Sequence, residues 1–297
     1  MNTLLFLATA YLAADQSAQQ AQIQPVTKEI ELRFKLKGDG FYKKYVDAGG
    51  IPIISSDKVT DRSLLEARYL ILSVLKGRQD ILEAMKTKNL RVGVMAYNEY
   101  TTDMPETRRM NPWWNKRARG LGGNPTTCGE ENLLNFKGDP YRGENILIHE
   151  FAHAIHHSGM RVLDKTFEER LRALFEKTKE TGLVAGYCMS SPGEFWAEGV
   201  QSWFDCNWPN IMLTMKDGKK KPIKTRMECL EHMPELSGLL KEAFRDNEWR
   251  YSTIEKRMHL PHLKDFDASI APSFKWPKEV EGAFRIEEER RKARRKR

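Results

Sequence analysis

The stretch Ile146-Leu147-Ile148-His149-Glu150-Phe151-Ala152-His153-Ala154-Ile155 sets an HExxH pattern inside an apolar run of helical character. Residues four apart share one face of an α-helix, so His149 and His153 can offer two imidazoles to a single Zn2+ ion. Glu150 lies one position round the helix from His149, where its carboxylate can hydrogen-bond a zinc-bound water instead of taking a coordination position. That is the layout for metal-assisted hydrolysis. The uncharged Phe151 and Ala152 put no competing charge between the ligands, which separates the run from a chance pentad. Gly159 follows Ile155-His156-His157-Ser158 as a C′ residue, so the helix is expected to run from near Pro140 to Arg142 up to that glycine.

Two histidines do not complete a catalytic zinc site, which takes three protein ligands and keeps one open position. The longer HExxHxxGxxH pattern would need Gly at 156 and His at 159, and the chain has His156 and Gly159. His156 shares the face of His149 but sits about 10 Å along the axis at 1.5 Å per residue, too far for the same ion. His156 and His157 are therefore read as surface or packing residues.

A second helix offers carboxylates in Ser191-Pro192-Gly193-Glu194-Phe195-Trp196-Ala197-Glu198-Gly199-Val200-Gln201-Ser202-Trp203-Phe204. Ser191 reads as the N-cap and Pro192 as the first helical residue. Glu194 and Glu198 then stand four apart on an otherwise aromatic helix, where a buried carboxylate is costly without a positive partner. Glu194 is either the third ligand or one half of a capping box with Ser191. Glu198 is either solvated or a support for a zinc-ligating histidine through its free N–H.

These motifs together resemble the gluzincin metallopeptidases. Within that group, Glu194-Phe195-Trp196-Ala197-Glu198 is similar to the Glu-Phe-Phe-Ala-Glu segment of the anthrax lethal factor type of catalytic domain. The resemblance covers roughly residues 128 to 206. It implies that Glu194 is the third metal ligand and that Tyr187, seven residues earlier, stabilises the oxyanion. It also implies an α+β, zincin-like fold: a small mixed sheet, an active-site helix and a helical C-terminal lobe. The delivery domains of lethal factor have no counterpart in this chain, so its target does not carry over.

At 297 residues, with 40% hydrophobic and 30% charged side chains, the composition is that of a globular protein able to bury a real core. Residues 4 to 14 form a short apolar run before a polar stretch, and a signal peptide over residues 1–18 is expected, with the protein secreted or periplasmic. One catalytic domain is expected over residues 24–270. Four cysteines, Cys128, Cys188, Cys206 and Cys229, form no CxxC pair, and an exported chain would join them as disulfides, Cys128 with Cys188 first.

The net charge is +8, and residues 285–297 contribute eight basic and three acidic side chains to it, 8 − 3 = +5. A basic tail over residues 283–297 is expected to be solvated. It could act as an electrostatic tether to an acidic surface, and it lacks the aromatics of a specific nucleic-acid module. The expected partner is a peptide or protein substrate, met by a monomer.

Residues 29–36 alternate charged and apolar side chains and predict a strand. Ile51–Ile54 and Leu90–Met95 predict two more, with helices inside 61–86. Asn111–Thr127 reads as a long loop in which Trp113 and Trp114 either anchor the loop or meet substrate. Asn132–Phe136 predicts an edge strand for an extended substrate. Residues 162–181 predict a helix packed behind the HExxH helix, with a stripe of Phe167, Leu171, Leu174 and Phe175, and 233–246 predict another. His259 and His262 are read as structural.

The function these residues point to is a zinc-dependent endopeptidase, with His149, His153 and Glu194 on zinc, Glu150 as general base and Tyr187 as oxyanion donor. The alternatives are a zinc hydrolase acting on a non-peptide bond and a non-catalytic zinc-scaffold binding protein. An intact Glu150 argues against the scaffold, which needs no carboxylate there.

Overall fold

Thr27 accepts the Ile30 N–H at 3.3 Å and starts a helix, α1 (Lys28–Phe34), where alternation predicts a strand. Ile30 and Phe34 are four apart and face inward, while Leu32 is left exposed, so the helical period won over the alternating one. In a computed structural model of the protein, residues 21–37 and 39–295 are described; the expected signal peptide at 1–18 lies outside them.

The main sheet has five strands, β1 (Gln24–Pro25), β2 (Lys44–Ala48), β3 (Ile51–Ser55), β4 (Val92–Met95) and β5 (Thr126–Gly129), in that spatial order. Gly49 and Gly50 both hold positive φ, 66° and 92°, as the two-residue turn between β2 and β3 requires. β3, β4 and β5 run parallel, so the chain must cross over between β3 and β4, and it does so through α2 (Asp61–Val74) and α3 (Gln79–Thr87). The strands and crossover helices predicted in this region are thus present, and the fold is mixed α and β.

The segment read as one loop carries a short helix, α4 (Trp114–Arg117), before β5. After β5 the chain turns into α5 (Glu130–Leu133) rather than the edge strand expected over 132–136. Glu130 and Glu131 are drawn inward there. Glu130 accepts from the Thr60 and Tyr97 N–H groups at 3.1 Å and from the Ser63 hydroxyl at 3.0 Å. Glu131 takes a bidentate bond from the buried Arg119 guanidinium, at 2.6 and 2.9 Å.

Asn132 organises the next connection: it accepts the Ile146 N–H at 2.7 Å and donates to Asp139 at 2.9 Å and to the Glu144 carbonyl at 3.0 Å. Asn145, accepting from the Ile148 N–H, caps α6 (Ile146–Ala154), so the HExxH helix begins later than Pro140–Arg142. It does not stop at Gly159. A wider π turn, Ile155–Met160, continues it, and a Cβ on Gly159 would meet Ile81 of α3 at 2.8 Å. That glycine serves close packing, not capping.

α7 (Phe167–Thr181) buries Phe167, Leu171 and Phe175, as the predicted stripe requires, with Leu174 partly buried. It packs chiefly on α8 (Pro192–Trp203), through Phe167 against Trp196 and Phe175 against Phe195, instead of behind α6. A second sheet of β6 (Val184–Ala185), β7 (Met212–Thr214) and β8 (Lys220–Pro222) carries the loop that holds Tyr187. α9 (Arg226–His232) and α10 (Pro234–Phe244) close the lobe behind α8, with Trp196 stacked on Phe244.

The disulfides expected among the four cysteines are not formed. Cys128, Cys188, Cys206 and Cys229 are all buried free thiols. Cys188 and Cys206 face the backbone carbonyls of Ala185 and Gln201 at 3.7 and 3.5 Å, and burial pushes Cys188 and Cys229 each up to about 12. In the basic segment at 283–297, Arg285, Arg290, Lys292 and Arg294 are exposed, in keeping with a solvated tail, but the segment through Arg295 belongs to α11 (Lys278–Arg295), which docks on Trp113. Trp113 stacks on Phe284 at 5.8 Å, lies under Arg291 at 3.8 Å and donates to Glu288 at 2.7 Å. Among the described residues no helix is long and apolar enough to cross a membrane.

The Arg119–Glu131 pair is fully buried, so removing one partner strands the other charge. R119M is expected to lower unfolding free energy by about 3–5 kcal/mol, and R119M/E131L to recover most of that loss, both read from urea melts.

Candidate metal centre and active site

α6 and α8 cross with their polar faces together, and the sequence explains why each side chain points into the crossing. The Ser191 hydroxyl caps α8 by accepting the Glu194 N–H at 3.2 Å. The Glu194 carboxylate does not reach back to complete a capping box; it turns to α6. Its Oε2 lies 3.0 Å from His149 Nε2 and 3.5 Å from His153 Nε2. Trp196, two residues on, donates its Nε1–H to the Ala152 carbonyl at 2.9 Å and pins the helices together.

These three atoms fit a tetrahedral metal. Zinc bonds of 2.0–2.1 Å place two ligand atoms about 3.3 Å apart, and the observed 3.0 and 3.5 Å fall on either side of that value. All three atoms lie within 4.8 Å of one another. The donor set, two imidazoles and one carboxylate, is the His2Glu set that zinc accepts in catalytic sites. Their mutual electrostatics are strong: Glu194 is held well below the carboxylate range by His149 and His153, against its burial, and hydrogen bonding to Glu194 with the charges of Glu150 and Glu198 raises His149 to about 10, also against burial.

The tautomer of His149 follows from Gln201. The Gln201 amide nitrogen donates to the Asn145 carbonyl at 3.1 Å and faces Glu144 at 3.4 Å, so its oxygen is turned to His149 Nδ1 at 2.9 Å. Nδ1 must then carry the proton, which leaves Nε2 bare for a metal. Glu198, expected in that supporting role, has its oxygen 3.7 Å from Nδ1, beyond hydrogen-bond reach. Burial pushes Glu198 up to about 7. Gln201 was legible in principle: Glu194, Glu198 and Gln201 are spaced i, i+4, i+7 on one helix face.

Glu150 stands beside the ligands on the cavity wall and has its pKa raised by burial against the pull of His149 and His153. The rim beside it is a glycine run packed on α6. A Cβ at Gly120 would meet Ile146 at 2.5 Å and Glu150 at 2.8 Å, and one at Gly122 would meet the His153 side chain at 2.7 Å. Between them Leu121 bridges to Thr127, extending the sheet by one antiparallel step beyond β5. This rim, not residues 132–136, is the sheet edge at the cavity.

Tyr187 opens a tight turn, Tyr187–Ser190, that also lines the cavity, its ring 6.4 Å from that of His149. The phenol is raised in pKa by burial and by Glu194, and the Arg117 guanidinium, 3.5 Å from its oxygen, opposes this. The cavity measures about 520 Å³ and is lined by all six expected residues, His149, Glu150, His153, Tyr187, Glu194 and Glu198. Trp114, Arg117, Tyr141, Glu144 and His157 also line it and were not assigned to the site from sequence. The two tryptophans divide the roles left open for them: Trp113 anchors, and Trp114 faces the cavity. His156 packs, with Nε2 at 2.7 Å from Glu168, and His262 pairs with the buried Glu66 at 2.8 Å, so neither reaches the site.

Comparison of the chain with protein-family models, curated proteins and solved structures gives no match. The arrangement therefore stands on its own geometry.

If Gln201 orients His149, Q201L is expected to weaken zinc binding by about 10- to 100-fold, measured by competition with a chromophoric chelator. E198Q, with no direct bond to lose, is expected to change it less.

Proposed function

We propose that this chain is a zinc metallopeptidase of zincin-like fold with a gluzincin ligand set. The observation that carries the reading is the convergence of His149 Nε2, His153 Nε2 and Glu194 Oε2 from two crossed helices, with Glu150 beside them in the same cavity. His149, His153 and Glu194 would hold the metal. Bound zinc supplies Lewis-acid polarisation of a carbonyl and a source of hydroxide near neutral pH.

The chain's own residues do the rest. Glu150, with its pKa raised by burial, accepts the proton of the attacking water and returns it to the leaving nitrogen. Tyr187 donates its hydroxyl proton in a hydrogen bond to the carbonyl oxygen as charge develops there. Gln201 keeps the His149 ring from turning, and the Gly120–Gly122 rim keeps the cavity open along the sheet edge, where an extended peptide would lie. The presence of a carboxylate base and a phenol donor in one cavity with the ligand set supports a carbonyl electrophile.

Metal analysis of the purified protein and digestion of a peptide library test this directly. E150Q is expected to keep about one zinc per chain while hydrolysis falls by at least about 100-fold; full activity in that variant would remove Glu150 from its role. Y187F is expected to lower kcat by about 10- to 1000-fold with little change in KM. Protein that binds no zinc would end the reading.

A further inference from the structure

Arg117 stands at the mouth of the cavity, on the last turn of α4, and among the described residues that line it this is the only permanent cation. The other lining charges are carboxylates, Glu144, Glu150, Glu194 and Glu198. Several other arginines are ion-paired, Arg119 to Glu131, Arg91 to Glu106, Arg257 to Glu66 and Arg170 to Asp164 and Glu242, and Arg62, Arg68 and Arg226 are spent on backbone carbonyls. Among the described residues Arg117 forms no ion pair, and its recorded side-chain contact is the 3.5 Å approach of Nη2 to the Tyr187 oxygen. A guanidinium carries five donors in a planar fork suited to a carboxylate, and most of these donors are uncommitted.

Its placement is built, not incidental. The Arg117 carbonyl accepts from the Tyr141 hydroxyl at 3.4 Å, and the residue before it, Lys116, is tied to Glu281 of α11 at 2.9 Å. Trp113, at the start of the same turn, is clamped by Phe284, Glu288 and Arg291. Two separate parts of the chain thus hold the backbone that presents this side chain to the cavity. Since the Tyr187 hydroxyl marks where a scissile carbonyl oxygen would sit, Arg117 lies one side chain away from the bond to be cut.

We propose that Arg117 recognises a substrate carboxylate next to the scissile bond, which makes acidic peptides the preferred substrate class. The proposal rests on the metallopeptidase reading for the position of the bond. The carboxylate could be an Asp or Glu side chain or the end of the peptide, and the chemistry Arg117 offers is the same for both. A charge-assisted, bidentate contact of this kind corresponds to a preference of about 10- to 100-fold.

The test uses the full-length zinc-loaded protein and matched peptides. One set carries Glu or Gln at each position flanking the cleaved bond; a second carries a free or an amidated C-terminus. Wild type is expected to favour one carboxylate form in kcat/KM by about 10- to 100-fold, with the responding set identifying the source of the carboxylate. R117Q should bring that ratio close to one, R117K should keep part of it, and R117E should favour a Lys-containing peptide. No carboxylate preference in wild type, or a preference untouched in folded R117Q, overturns the proposal. If R117Q fails to fold, R117K and R117E carry the same comparison. Should wild type cleave no peptide, the hydrolytic reading fails by itself. Calorimetric binding of the same peptides to wild type and R117Q then decides the recognition: a carboxylate-dependent difference in Kd retains it, and equal Kd values reject it.

Discussion

The site depends on the fixed crossing of α6 and α8. It is held at two heights by bonds that run from side chains of one helix to the backbone of the other: Trp196 Nε1–H to the Ala152 carbonyl, and the Gln201 amide to the Asn145 carbonyl. His149 sits between these points, His153 and Glu194 lie just past the Trp196–Ala152 tie, and the three side-chain atoms come within 4.8 Å of one another. Side chains on two freely sliding helices could not hold such spacing. A shift of one ångström would open the 3.0 Å contact or crush it.

The crossing carries buried polar groups that an apolar core would not tolerate alone; local devices satisfy several of them, while both Glu198 oxygens are buried without a hydrogen-bond partner among the described residues. Gln201 uses its three described contacts to set one histidine tautomer. Arg119 neutralises Glu131 and binds the carbonyls of Glu99 and Ala96, which places the following Gly120–Gly122 rim against α6. The glycines then let that rim approach α6 so closely that a Cβ at Gly120 would meet Glu150 and one at Gly122 would meet His153. Sheet, rim and helix thus form one mechanical unit around the cavity.

What was legible in the sequence was local. His149, Glu150 and His153 declare their shared face by spacing alone, and Ser191-Pro192 announces the start of α8 through capping chemistry. The strands at 51–54 and 92–95 show as short runs with almost no polar side chain because every residue of β3 and β4 is buried. The misreadings share a cause: a tertiary partner decided the outcome. Residues 29–36 fit two periods, and only Thr27 capping with burial of Phe34 selects the helix. Glu130 and Glu131 bend residues 130–133 into a helical turn because Thr60, Ser63 and Arg119, remote in sequence, need them. The four thiols read as disulfide material, yet each is buried separately. Gln201 rather than Glu198 supports His149 because the histidine ring plane, which spacing does not reveal, points one turn further along α8.

The docking of α11 on Trp113 has a consequence for synthesis. Trp113 meets Glu288, which lies 175 positions further along the chain. The HExxH helix and α8 can form while the chain is still being translated, but the segment bearing Arg117 lacks its clamp until residues 284–291 have emerged from the ribosome. The His149–His153–Glu194 cluster can thus assemble early while the mouth of the cavity is finished late, so a nascent chain long enough to hold these side chains in place still lacks the clamp that fixes the cavity's entrance.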